Sequence, residues 1–126
     1  MAVKMTDAPA VPNEEKEEVL GILRAIKENP ETTQRELSAR LGVSLGKVNY
    51  LLKALIKKGF VKVQNFKNAE NKTGYIYLLT PRGIGEKYRM TCYFLKRKME
   101  EYDRLEEEIR LLRTEMENDR AFESER

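Results

Sequence analysis

At Gly59 the apolar residues of this chain change their period, and few features limit a fold more tightly. Before it, Val48, Leu51, Leu52, Leu55 and Ile56 recur at the spacing of one helix face. After it, Val61 and Val63 alternate with Lys62 and Gln64, and Ile76 and Leu78 alternate with Tyr75 and Tyr77, the period of half-buried strands. Between these runs the turn formers of KNAENKTG place a hairpin tip at Lys67 to Thr73.

The helical part can be divided from its end signals. Val19, Leu20, Ile22, Leu23 and Ile26 mark a first helix over roughly Glu14 to Glu28, stopped by Asn29-Pro30 because proline disfavours helix in the residue before it. Thr33-Gln34-Arg35-Glu36 is a capping-box pattern that opens a second helix carrying Leu37 and Leu41, with Gly42 at its end. Ser44 is the expected N-cap of a third helix reaching Lys58, with Gly59 beyond it. Thr80-Pro81 then starts a long helix with no breaker until about Asn118, roughly 57 Å at 1.5 Å per residue. The expected organisation is a disordered tail over residues 1–13, a compact domain over 14–80, a long helix over 81–118 and a frayed end over 119–126.

Two short capped helices followed by a hairpin are the element order of a winged helix-turn-helix. The fold class is therefore mainly α with a small β-hairpin wing (α+β), followed by one long C-terminal dimerisation helix. Charge segregates along this plan. Residues 32–80 carry nine basic and two acidic side chains, residues 81–98 six and one, and residues 99–126 five and eleven. A basic patch of that kind suits a polyanion, since each phosphate neutralised releases condensed counterions. The chain has no histidine and one cysteine, Cys92, which removes imidazole acid–base chemistry, a His-based metal site and an internal disulfide. No cofactor, metal or enzymatic activity is expected. Without an apolar leader or an 18-residue apolar run, the expected location is cytoplasmic, with no membrane contact.

Candidate DNA contacts lie opposite the apolar stripe of the third helix: Ser44, Gly46, Lys47, Asn49, Tyr50, Lys53 and Lys57. Gly46 would let the backbone approach DNA closely, Lys47 and Asn49 carry donors for base edges, and Tyr50 and Lys53 suit phosphates or bases in a major groove. Amides around Thr33 and Gln34 would meet phosphate at a helix start. Lys67, Asn68 and Lys72 would bring the wing tip to the backbone or minor groove. Each lysine alone is more often a solvated surface charge; it is their arrangement on helix, capped helix and wing that points to double-stranded DNA.

The runs LGVSLGKVNYLLKALIKKGFVKVQNFKN and YLLTPRGI resemble the MarR-type winged-helix regulators, most closely their branch associated with exopolysaccharide gene clusters in bacteria, over roughly Glu17 to Leu112. The resemblance implies a dimeric transcriptional regulator whose third helix enters the major groove and whose wing touches flanking DNA. MarR proteins carry several C-terminal helices around a ligand pocket; one long helix stands in their place, and no small-molecule effector is evident.

That helix can be written as a heptad with a at Tyr88, Leu95, Tyr102, Ile109 and Met116, and d at Ile84, Thr91, Lys98, Leu105 and Leu112. Parallel pairing sets Glu108 against Arg113 and Glu115 against Arg120, but Glu101 against Glu106; antiparallel pairing stays open. The alternative is a single helix folded onto its own domain, which would expose a leucine stripe. Met90 to Leu95 is apolar on nearly every side and is expected to be buried against both the first helix and a partner, with Cys92 as a small hydrophobe. A twofold homodimer would read half-sites about 34 Å or a multiple apart, hence a pseudo-palindromic operator. Two rival readings remain: a winged-helix interaction or assembly module without specific DNA readout, and a small-molecule-responsive regulator.

Overall fold

The computed structural model describes residues 15–67 and 73–125, in the order α1 (Lys16–Glu28), α2 (Gln34–Leu41), α3 (Leu45–Lys57), β1 (Val61–Lys67), β2 (Thr73–Leu79) and α4 (Pro81–Ser124). The expected N-terminal tail and the wing tip from Asn68 to Lys72 lie outside the described residues. The chain divides into two compact units, one ending at Cys92 and one beginning at Tyr93.

The first unit is built around the predicted apolar stripes. Val19, Leu20, Ile22, Leu23 and Ile26 of α1, Leu37 of α2, and Val48, Leu51, Leu52 and Leu55 of α3 are all buried, joined by Phe60, Val61, Tyr77 and Met90. Burial of each such aliphatic side chain is worth about 1.5–3 kcal/mol, which is what holds these short helices. The capping box forms as the residues predict: Glu36 N donates to Thr33 Oγ1 at 3.1 Å, and Thr33 N donates to Glu36 Oε2 at 3.4 Å. Ser44 caps α3 by accepting from Lys47 N at 3.1 Å.

The exit from α3 is a Schellman turn. Gly59, at φ 79°, donates to Ile56 O, and Phe60 N donates to Leu55 O at 2.9 Å. The chain then enters an antiparallel hairpin whose register pairs Val61 with Leu79 and Val63 with Tyr77. Paired residues share a face, so Tyr77 follows Val61 inward and is buried, whereas Ile76 and Leu78, the aliphatic members of that alternation, are half-buried. Tyr77 N also donates to Pro30 O at 3.0 Å, tying β2 to the loop between α1 and α2.

Thr80 joins the base of the hairpin to α4. Its amide donates to Phe60 O at 3.1 Å, its hydroxyl donates to Gly59 O, and the same oxygen accepts from Gly83 N at 3.0 Å. Gly83 itself lies against the Phe60 backbone: a Cβ there would sit 1.9 Å from the Phe60 carbonyl oxygen.

One expectation is corrected: α4 does not fray after Asn118 but continues to Ser124. Residues 119–124 contain neither glycine nor proline, and Ser124 Oγ donates to Arg120 O at 3.0 Å across that last turn. Of Met90 to Leu95, Met90 is buried in the first unit. Cys92, Tyr93 and Phe94 are half-buried, while Thr91 and Leu95 are exposed.

Two glycines two residues apart in the same helix should respond oppositely to alanine. Gly85→Ala should stabilise by about 0.5–1 kcal/mol through helix propensity, its new methyl meeting only the flexible end of Arg89 at 3.7 Å. Gly83→Ala should destabilise by about 1–3 kcal/mol because its neighbour is backbone and cannot move aside. Urea unfolding of the two variants checks the difference in sign.

Candidate nucleic-acid interface

Four of the candidate contact residues converge. Thr33 and Gln34 at the start of α2 and Asn49 and Lys53 on α3 line one groove of about 550 Å³, closed on its other side by Val63, Gly74, Tyr75 and Tyr77 of the hairpin. They meet because the α2–α3 turn sets the start of one helix beside the middle of the next. Asn49 Nδ2 donates to Gln34 Oε1 at 3.3 Å, and Gln34 Nε2 donates to Tyr77 Oη at 3.4 Å, so a chain of side chains links wing, α2 and α3. The floor is apolar, with Leu52 buried and Ile56 partly exposed. Donors fixed above an apolar floor can engage base edges or a sugar-phosphate strand at defined positions.

The start of α3 differs. Gly46 is open, since a Cβ there would find only Ser44 Oγ, at 4.0 Å. Lys47 is paired: its Nζ lies 2.9 Å from Glu15 Oε1 and 5.6 Å from the centre of the Tyr50 ring. The hydrogen bond to Glu15 holds the ammonium above the ordinary lysine pKa, with a further contribution from the nearby Glu18 charge. Tyr50, Lys53 and Lys57 are exposed. The backbone of Lys67 closes the described part of β1 opposite Thr73, while Asn68 and Lys72 lie outside the described residues.

The Thr33 amide donates to the Glu36 carboxylate in the capping box. The same carboxylate places negative charge on the first turn of α2, and the Gln34 side chain reaches the groove from this helix.

Tyr77 and Glu15 were not legible as site residues. Tyr77 reads as one more member of a strand alternation, and its contact to Gln34 crosses 43 positions. Glu15 sits in an acidic run, 32 positions from Lys47. Neither distance leaves a local pattern.

On α4 the dimerisation candidates Tyr88, Leu95, Tyr102, Leu105, Ile109, Leu112 and Met116 are all exposed, from 43% at Ile109 to 66% at Tyr102. Cys92, one turn on from Tyr88, pushes the Tyr88 phenol pKa up. Along the same helix Arg110 pairs with Glu107 at 2.6 Å and Lys98 with Glu101 at 3.3 Å, each pair three residues apart. Among the described residues there is no group of His, Cys, Asp and Glu side chains that could hold a metal ion, and no helix long and apolar enough to cross a membrane.

This geometry is that of a winged helix-turn-helix domain. Residues 19–62 match a family model described as winged helix-turn-helix DNA-binding. The fold is shared with MarR-type transcription regulators. It is similar to the Staphylococcus aureus MepR–DNA complex, at 24% identity and a TM-score of 0.54, over 70% of this chain and 60% of that one. It is also similar to the PcaV regulator of Streptomyces coelicolor in complex with its natural ligand, at 16% identity and a TM-score of 0.51, over 62% and 54%. A PadR-like regulator from Bacillus cereus is similar over 75% of this chain and 97% of its own, at 18% identity and a TM-score of 0.61. The chain thus spans less than two thirds of the length of the MepR–DNA and PcaV structures it matches. No curated protein matches it in sequence.

The capping box that sets the groove can be tested alone. Thr33→Ala removes the side-chain acceptor of Glu36 N and should lower stability by about 1 kcal/mol, read from the midpoint of denaturant unfolding.

Proposed function

We propose that this chain is a sequence-specific DNA-binding transcription regulator that acts as a homodimer, reading DNA through α3 and its wing. The reading rests on one observation above others: Gln34, Asn49 and Lys53 converge on a single groove beside a hairpin, within the most basic stretch of the chain. The winged helix-turn-helix match and the likeness to a regulator solved on DNA support it. α3 is the element for the major groove, its N-terminal half presenting Ser44, Gly46, Lys47, Asn49 and Tyr50, with Lys53 and Lys57 one and two turns further on. The wing residues Lys67, Asn68 and Lys72 belong to the backbone or minor groove beside it.

The exposed stripe from Leu95 to Met116 supports the homodimer. A row of large apolar side chains at heptad spacing has a second copy of the same helix as its simplest cover, because Glu108 can pair with Arg113 and Glu115 with Arg120 across a parallel seam. Two α3 helices related by a twofold axis would then read a pseudo-palindromic operator, with half-sites about 34 Å or a multiple apart. Control of exopolysaccharide genes rests on the sequence resemblance alone.

Retention of duplexes from a genomic fragment library at low ionic strength tests the function directly; no retention of any fragment overturns it. For a fragment that binds, Asn49→Ala should cost about 1–3 kcal/mol if Asn49 reads a base, and Lys53→Ala should flatten the slope of log affinity against log salt by about one. Replacing Ile109 and Leu112 together by Asp should give monomers in analytical ultracentrifugation. A dimer that survives the double substitution removes this stripe from the interface.

A further inference from the structure

We infer that Glu15 is a specificity-determining residue: it holds Lys47 in an ion pair that DNA must displace, and so weakens contacts with sequences that offer Lys47 nothing better. The inference rests on the DNA-binding reading above. Glu15 occupies the N-cap position of α1, yet its side chain makes no capping hydrogen bond to its own helix. Its carboxylate reaches instead to Lys47 Nζ at 2.9 Å, on the first turn of α3. The Lys47 side chain is 36% exposed and that of Glu15 22%, so the pair is accessible to a competing anion.

The consequence follows from ion bookkeeping. A free lysine that meets a phosphate releases a condensed cation from DNA, and this release drives sequence-independent binding. Lys47 must first leave Glu15, whose carboxylate then faces a polyanion alone and takes up a cation. Release and uptake nearly cancel, so Lys47 adds little to binding of an arbitrary duplex. A site that sets a strong acceptor such as guanine O6 and N7 within its reach recovers the loss. Glu15 therefore suppresses non-specific affinity more than specific affinity.

The test measures fluorescence anisotropy of a mixed-sequence duplex across a potassium chloride series, beside the most tightly retained genomic fragment. Glu15→Gln keeps the shape and removes the charge. It should bind the mixed duplex about two- to fivefold more tightly at low salt, steepen the salt slope by about one and reduce the preference for the genomic fragment by the same factor. Glu17→Gln is the control, because it changes net charge equally while Glu17 is not among the groups acting on Lys47; its slope should stay that of the parent protein. In a Lys47→Ala background the effect of Glu15→Gln should vanish. An unchanged slope for Glu15→Gln, or a gain that persists without Lys47, overturns the inference while DNA binding stands. Failure of the parent protein to bind any duplex overturns both.

Discussion

One corner ties the elements of the winged helix-turn-helix unit together. Gly59 turns the chain out of α3 with a positive φ, and Phe60 drops into the core. Thr80 returns to bond with both, and Gly83 brings the first turn of α4 onto the Phe60 backbone. The end of α3, the base of both strands and the start of α4 are therefore positioned by contacts among a few residues. Two of those contacts need glycine for different reasons, one for a backbone dihedral and the other for space. Because α3 leaves this corner with its buried face set by Leu51, Leu52 and Leu55, the opposite face has no freedom in its direction. The orientation of Asn49 and Lys53 is inherited from it.

Much of this was legible, and the reason is that its causes are local. A capping box lies within four residues, a Schellman turn within six, and an apolar stripe within two turns of helix. Hence α2 and α3, their caps and the antiparallel hairpin could be placed from spacing. The end of α4 was placed too early: the absence of a breaker after Asn118 was the better guide, and the helix continues to Ser124. What spacing did not reveal were contacts between distant positions. Tyr77 with Gln34, Glu15 with Lys47, and Gly83 with Phe60 depend on how elements pack, and none has a periodic signature. The inward face of β2 is a similar case. Hydropathy favours Ile76 and Leu78, but the register with Val61 and Val63 turns Tyr77 inward, where its hydroxyl finds Gln34.

The candidate interface combines fixed and releasable parts. Gln34 and Asn49 are held by each other and by Tyr77, so little side-chain entropy remains to be lost on binding. Lys53, Lys57 and Tyr50 are exposed and adaptable. Lys47 belongs to neither group, being held by the Glu15 carboxylate. This division matches the separate physical tasks of base reading, which needs fixed geometry, and backbone attachment, which needs only charge.

The corner also bears on how the chain acquires its structure. The bond from Thr80 to Gly59 closes a loop of 21 positions, and the hairpin lies entirely within that loop. Closing so short a loop is entropically cheap, and a hairpin forms in about 1–10 µs. Met90, by contrast, reaches the core that contains Val19 only after most of the unit has been drawn together. Contact order thus favours a nucleus at α3 and the wing, with α1 joining later. On a ribosome, where α1 emerges first, that helix must wait for a nucleus made from residues not yet synthesised.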